Sequence, residues 1–332
     1  MTGRWSGGQR GIEVVLQSFL IGKGMTAYVR MFRRPLTLRV LPASSAVLVY
    51  DSRHPRVTEL SPRGEVVSVA QLHELPTDWR TEVMALADHP DGWVVLLDHV
   101  PFGSPRPHEG RLRVEVVSST GTPLRTLADL PGPARWVDRD ELNTLAIAVP
   151  HGRAPRARLM GGGGYMLTWS DEGRIRVMTP DGDTAYQAAF DVAPRPLGPE
   201  DRDRELGAIR ENLFGELEEQ AGRIPPELDR YFQRKFERAL SAIRVPDRTE
   251  AISLVIEEGA SGAWVQLGGH RGEPEREWIR LSLSPEGPAE CRVRIRHTGE
   301  VAAGHGWEGS LYLVEMEDPG FPVLIRYDTP CP

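Results

Sequence analysis

Short apolar runs separated by turn residues dominate this chain, and the clearest example lies at 164–190. It reads GYMLTW, RIRVM and DTAYQAAF, with SDEG and TPDG between the runs. β-Branched and aromatic residues are enriched in strands, and Pro, Asp and Gly supply the backbone angles that tight turns need. The pattern predicts a meander of three antiparallel strands.

The second of these turns recurs along the chain. SPRG at 61–64, SSTG at 118–121, TPDG at 179–182 and SPEG at 284–287 are separated by 57, 61 and 105 residues. The strand before each turn recurs as well, and a fifth copy precedes the chain end: RVTEL at 56–60, LRVEVV at 112–117, RIRVM at 174–178, WIRLSL at 278–283 and VLIRYD at 323–328. Four copies therefore contain this strand followed by the turn, and the fifth contains the strand alone.

The strand upstream of that one repeats in step with it. Its copies are AVLVYD at 46–51, GWVVLLD at 92–98, GYMLTWS at 164–170, GAWVQLG at 262–268 and GSLYLVEM at 309–316. A small meander cannot bury both of its faces alone, and stacking such units around an axis buries the faces between neighbours. The sequence predicts a mainly β fold, a β-propeller of five visible blades, with a sandwich of irregular strands as the alternative.

The long interval contains a segment with a different period. Between 199 and 244 apolar residues recur at three and four positions, as in an amphipathic helix: Leu206, Ile209, Leu213 and Leu217, then Leu228, Tyr231, Phe232, Phe236, Leu240 and Ile243. Pro199 and Pro225-Pro226 stand where helices begin. We predict two helices forming a hairpin inserted between the third and fourth copies, either a lid on one propeller face or an arm that binds a partner.

Two groups of side chains are candidates for an interaction surface. One is the aromatic set of the predicted hairpin, namely Phe214, Tyr231, Phe232 and Phe236. The other is a basic, Pro-broken loop at 151–158, whose alternative role is an ordinary solvated loop; it holds Arg153, Arg156 and Arg158.

Composition narrows the choice of partner. The net charge of -7 and the pI near 5.8 argue against nucleic acid. No apolar run reaches the length of a transmembrane helix.

The chain has two cysteines, Cys291 and Cys331, and they lack CxxC or metal-ligand spacing. They could pair if the C-terminal tail folds back on the fourth copy, but two free thiols are the favoured expectation.

Three common zinc-binding and hydrolase motifs are absent from the sequence. No H-x-H, H-E-x-x-H or G-x-S-x-G pattern occurs among the nine histidines and the serines. Asp51, Asp98 and Asp171 follow corresponding strands and could offer oxygen ligands to a channel metal, although strand-end turn residues are the simpler interpretation. Lactonase-type propellers use Asn among their metal ligands, and this chain has only Asn143 and Asn212.

The segments quoted above resemble a known family. The run at 165–195, the helical segment with Pro225-Pro226, the following GAWVQL, and the earlier unit at 38–69 are similar to bacterial six-bladed β-propellers of the NHL-like type. The resemblance implies one propeller domain over 1–332, with the insertion at 199–244 and a diverged or truncated first blade at 1–36. It also implies export, since such proteins typically begin with an export or lipoprotein signal, but no such signal is visible here.

We therefore expect a non-catalytic binding or scaffold protein that uses its loops and channel mouth. The partner would be an unknown protein, peptide or small ligand, without nucleic acid and without a bound cofactor. The alternative is a hydrolase or lyase that depends on a divalent cation in the channel. We also expect an N-terminal strand, at 12–21 or 27–32, to pair with 323–328 and tie the termini together, because the fifth copy has no residues left for an outer strand.

Overall fold

The structure is a computed structural model that describes most of the chain beyond its first 34 residues. The described ranges are 35–40, 46–51, 56–72, 81–99, 110–139, 144–192, 194–219, 225–258, 262–269, 273–284, 287–297, 300–307, 309–317, 321–329 and 331.

Five antiparallel meanders form the main body. Blade 1 contains β1 (Pro35–Val40), β2 (Val47–Asp51), β3 (Arg56–Leu60) and β4 (Val66–Gln71). Blade 2 contains β5 (Thr81–His89), β6 (Gly92–His99), β7 (Arg111–Ser118) and β8 (Pro123–Pro131). A separate two-stranded hairpin follows, made of β9 (Arg135–Arg139) and β10 (Thr144–Ala148).

The remaining blades have the same arrangement. Blade 3 contains β11 (Pro155–Leu159), β12 (Tyr165–Trp169), β13 (Arg174–Met178) and β14 (Thr184–Ala189). Blade 4 contains β15 (Ile252–Glu258), β16 (Gly262–Leu267), β17 (Glu275–Ser284) and β18 (Gly287–Arg296). Blade 5 contains β19 (Glu300–Trp307), β20 (Ser310–Glu317) and β21 (Phe321–Asp328).

The strand repeat is confirmed position by position. All five predicted turn-preceding segments lie in the third strand of a blade, and all five upstream segments lie in the second. The segments at 56–60 and 174–178, for instance, are both third strands. Equivalent sequence has produced equivalent structure, so each copy is one blade.

The recurring turn has one geometry in three blades. Gly64, Gly121 and Gly182 have φ of 80, 94 and 90°, and each donates its N–H to the carbonyl three residues earlier at 2.8–3.0 Å. The side-chain hydroxyl of Ser61 accepts hydrogen bonds from later backbone N–H groups of its turn, as do the equivalent Ser118 and Thr179. A left-handed backbone at the fourth position explains the glycine, and the hydroxyl acceptor explains the Ser or Thr.

The apolar cores lie between consecutive blades. Leu48 and Tyr50 of blade 1 share a cluster with Trp93 of blade 2, and the clusters between the later blades are built in the same way. The first strands contact one another in the order β1, β5, β11, β15 and β19. Faces buried between successive meanders around a line of inner strands are a propeller arrangement.

Strand direction gives this arrangement two distinct ends. Within a blade the first and third strands begin, and the second and fourth strands finish, at the same end. Every connection from one blade to the next therefore lies there, and we call it the connection end. The recurring Ser/Thr–Gly turns lie at the opposite end.

Two helices confirm the change of period in the sequence. They are α1 (Pro199–Glu219) and α2 (Pro226–Ala242), and they lie in the chain between blades 3 and 4. Ala239 and Ile243 bury against Ile147 of β10 in a cluster that contains no residue of the five blades. The hairpin β9–β10 lies in the connection from blade 2 to blade 3, so both additions leave and rejoin the blades at the connection end.

The expectation of two free thiols was wrong. Cys291 of β18 and Cys331 form a disulfide with a Cα–Cα distance of 5.7 Å. The tail after β21 folds back on blade 4, where Cys331 is buried in the cluster between blades 4 and 5. The sequence offered this contact only as an alternative, because proximity of the tail to blade 4 is a tertiary feature that spacing does not encode.

Blade 5 has three strands among the described residues, as its sequence copy predicted. The two segments proposed to pair with β21, at 12–21 and 27–32, lie outside the described residues. Of the diverged or truncated first blade expected at 1–36, residues 1–34 also lie outside them, and 35–36 begin β1. That pairing stays a prediction.

Candidate functional site at the connection end

A strained histidine lies where β10 passes into β11. The turn at 149–152 has Pro150 at its second position, and Gly152 N donates to the Val149 carbonyl at 3.0 Å. His151, at the third position, has φ of 53°. A proline followed by a positive φ defines a type II turn, whose third position is normally Gly or Asn. Holding a histidine there costs about 1–2 kcal/mol.

The imidazole of His151 is buried without hydrogen bonds. Its side chain is 9% exposed, and neither Nδ1 nor Nε2 finds a hydrogen-bond partner among the described residues. Nε2 lies 3.4 Å from Oε1 of Glu205 on α1, a carboxylate that is itself 10% exposed. Buried polar atoms in proteins are nearly always bonded, so such an exception calls for an explanation.

Ion pairs at the same end join blade 3, the segment leading into α1, and blade 4. Arg156 Nη2 lies 2.9 Å from Glu250 Oε2. Glu273 receives both Arg195 at 3.2 Å and Arg276 at 3.0 Å. These are charged groups at the start of blade strands, where the connections converge.

Burial lowers the pKa of Arg276, and the neighbouring carboxylate of Glu273 acts in the opposite direction. Arg195 lowers the pKa further, while Glu205 and Glu250 raise it. The carboxylate beside His151 thus belongs to the same electrostatic field as the arginine cluster. Attraction between opposite charges is stronger in such a partly desolvated place than in water.

The three predicted loop arginines all make internal contacts. Arg153 bonds Asp171 and Glu172, both at 3.1 Å, and stacks over the Trp169 ring at 4.2 Å. Arg156 pairs with Glu250, and Arg158 Nε donates to the Val255 carbonyl of blade 4 at 2.8 Å. Arg158 therefore links the inner strands β11 and β15, and Arg156 links β11 to the segment just before β15. Their contact with a partner stays a prediction.

The four predicted aromatic residues pack mainly on one another. Phe214 of α1 meets Phe236 of α2 edge to face at 5.6 Å, and Phe232 lies 6.1 Å from Phe236 and 5.2 Å from Tyr231. All four are half-buried. They lie on the helices, whereas the arginines lie on and beside β11, so the two halves of the predicted surface belong to different elements. The exposed side of α2 carries an open depression lined by Tyr231, Gln233, Arg234, Glu237, Arg238 and Ser241.

The candidate acidic ligands also have protein partners. Asp98 forms an ion pair with Arg135 of β9, and Asp171 lies in the turn after β12, paired with Arg153. The side chain of Asp51 lies outside the described residues. Within the described ranges, no three His, Cys, Asp or Glu side chains are grouped so that they could hold a metal ion.

Sequence reasoning missed the pairing of His151 with Glu205. It treated 151–158 as one basic loop and assigned no role to Glu205. The available signal was the Pro-His-Gly triplet at 150–152, in which a histidine occupies the turn position that usually takes Gly or Asn. The distance to a carboxylate 54 residues away had no local signature.

Comparison with solved structures finds remote likenesses. A protein of unknown function from Bacteroides caccae is 11% identical over 89% of this chain and 78% of its own, with a TM-score of 0.37. A putative 6-phosphogluconolactonase from Bacteroides fragilis is 9% identical, covering 90% and 72%, with a TM-score of 0.37. A member of the DUF4221 family from Bacteroides vulgatus is 10% identical, covering 89% and 79%, with the same TM-score.

These likenesses carry no functional argument at such identities and TM-scores. No protein-family profile and no curated protein matches the chain. Neither of the two described helices has both the length and the apolar character needed to cross a membrane. The assignment to a propeller arrangement therefore rests on the order of the blades and on the cores between them.

Proposed function

We propose that this protein is a non-catalytic β-propeller that binds a ligand at its connection end. The observation that supports it is His151, an imidazole with two buried, unbonded nitrogens on a strained turn beside Glu205. Strain of this kind persists where surrounding structure holds it, often at ligand clamps. Both nitrogens are covered in the structure, so binding requires the turn or α1 to shift, and a ligand that then bonds either nitrogen removes the cost of leaving it unsatisfied.

Binding accounts for this site better than catalysis does. Ser170, the hydroxyl residue that closes the same loop, already accepts a hydrogen bond from Ala154 N at 2.9 Å and donates to the Gly152 carbonyl at 3.3 Å. It is fully buried. A nucleophile needs a base within hydrogen-bond reach and an accessible attacking atom, and this hydroxyl is held by the backbone instead.

The helical pair is proposed to be an insertion that covers part of this end. Its support is the stem through which the chain enters and leaves: Leu197 N donates to the Asp247 carbonyl at 2.8 Å, and Thr249 N donates to the Arg195 carbonyl at 2.8 Å. A paired stem leaves the blades on either side connected without the helices. Membership of the six-bladed, NHL-like type likewise stays a proposal, supported by the sequence segments that resemble it.

Thermal-shift measurements with a panel of amino acids, sugars, nucleotides and short peptides test the binding proposal. A ligand that binds only the folded state raises the melting temperature by mass action. We expect at least one compound to stabilise the wild type but not His151→Ala. His151→Asn, which tolerates the left-handed backbone, controls for loss of the turn. Equal shifts in wild type and His151→Ala, or no shift with any class, would contradict the proposal.

A further inference from the structure

An outer strand of blade 1 exposes valines to solvent. On β4, Val66, Val67 and Val69 are 45, 59 and 50% exposed. This strand is the last in its sheet and pairs with β3 alone among the described strands. Its other edge therefore carries backbone N–H and C=O groups that no described strand satisfies, which is the usual template for adding a further strand.

The equivalent strand of blade 3 shows that the fold does not require these valines. β14 follows the same type of turn, has the same irregularity next to its first residue, and has the same alternation of buried and exposed positions as β4. At the positions of Val66, Val67 and Val69 it carries Thr184, Ala185 and Gln187. The apolar character of β4 is thus a property of its surface and not of blade geometry.

Two other outer strands, β8 and β18, carry exposed charges. β18 exposes Arg292, Arg294 and Arg296, and β8 exposes Arg125 and Asp129. Charged residues on an edge strand oppose pairing with another chain. β4 and β14 have no charged residue, with the sequences VVSVAQ and TAYQAA, but only β4 combines this with three exposed valines.

We propose that β4 pairs with β4 of a second copy of this chain, in an antiparallel, two-fold arrangement. A two-fold interface places the same segment on both sides, so any charged residue of that segment lies close to its own copy in the other chain. β4 sets no like charges against each other, whereas the same pairing through β18 would set arginine against arginine. Beyond the irregularity at Val67, residues Ser68 to Gln71 are regularly paired with β3, so an extended edge is present. This surface is independent of the proposed ligand site.

Sedimentation velocity over a range of protein concentrations tests the proposal. We expect a monomer–dimer equilibrium in the wild type and a monomer in Val69→Lys, because a lysine on this short edge would bring two like charges close together across the axis. Gln187→Lys places the same charge at the matching position of β14 and should leave the dimer unchanged. Circular dichroism checks that both variants keep the β signal of the wild type.

Three outcomes would overturn it. A wild type that stays monomeric at every concentration shows that the edge recruits no second copy. A dimer that persists in Val69→Lys places the interface elsewhere. A dimer lost equally in Val69→Lys and Gln187→Lys shows a general effect of charge and not pairing through β4.

Discussion

The disulfide between Cys291 and Cys331 gives the sharpest test of how blade 5 is held. The bond joins β18 of blade 4 to the tail after β21 across a sequence separation of 40 residues. All three strands of blade 5 lie inside the loop that it closes. Opening the bond therefore frees the entire last blade in the unfolded chain, and the native contacts of that blade must then overcome a larger entropy.

The number of residues in the closed loop sets how much stability the disulfide contributes. In the chain-entropy description, closing a loop of about 40 residues removes about 13 cal/mol/K from the unfolded chain, or about 4 kcal/mol at 25 °C. With an unfolding entropy of about 700 cal/mol/K for a chain of this size, that corresponds to a melting temperature lower by about 6 °C. These values assume that the whole chain unfolds in one transition.

Comparing the oxidised and reduced wild type isolates the bond, because every side chain other than the two thiols is the same. We expect calorimetry to show a lower melting temperature for the reduced wild type than for the oxidised wild type. The double variant Cys291→Ala/Cys331→Ala should melt at the lower temperature whether or not reductant is present. Mass spectrometry of the unreduced protein should find no free thiol. Two free thiols, or a reduced protein as stable as the oxidised one, would refute the reasoning.

Other contacts give further predictions. Tyr327→Phe removes a 2.6 Å hydrogen bond to the buried carboxylate of Glu315 and should cost about 1.5–3 kcal/mol in urea unfolding. Burial raises the pKa of Glu115, so its proton stabilises the fold at acid pH, and that contribution is lost as pH rises from 4.5 through the raised value. Glu115→Gln should therefore flatten the pH dependence of stability in that window, and an unchanged slope would count against it. Replacing 199–244 with a short Gly/Ser bridge should remove the helical circular dichroism signal and keep the β signal, whereas loss of all folded signal would show that the helices belong to the core.

The blades were predictable because their determinants are local and repeated. A turn with Gly64 at its left-handed position and Ser61 as its hydroxyl acceptor is specified within four residues, and the chain repeats that specification in blades 2 and 3. Each strand copy then occupies one place in its sheet, because strand–turn–strand order leaves little choice of neighbour in an antiparallel meander. The helices were predictable for a related reason, since a period near 3.6 is also a local signal.

The candidate site was not predictable in the same way, because it depends on contacts between units. Arg156 was predicted to lie in a loop that faces a partner or solvent, yet its guanidinium pairs with Glu250, two residues before the first strand of blade 4. His151 meets Glu205 only because two separate additions, the β9–β10 hairpin and α1, converge at the connection end. Repetition in the sequence describes what the blades share. Function in a propeller depends on where the copies differ. The positions to examine first are therefore the departures from the repeat. They are His151, which occupies a left-handed turn position, and β4, which exposes valines where the matching strand β14 is polar.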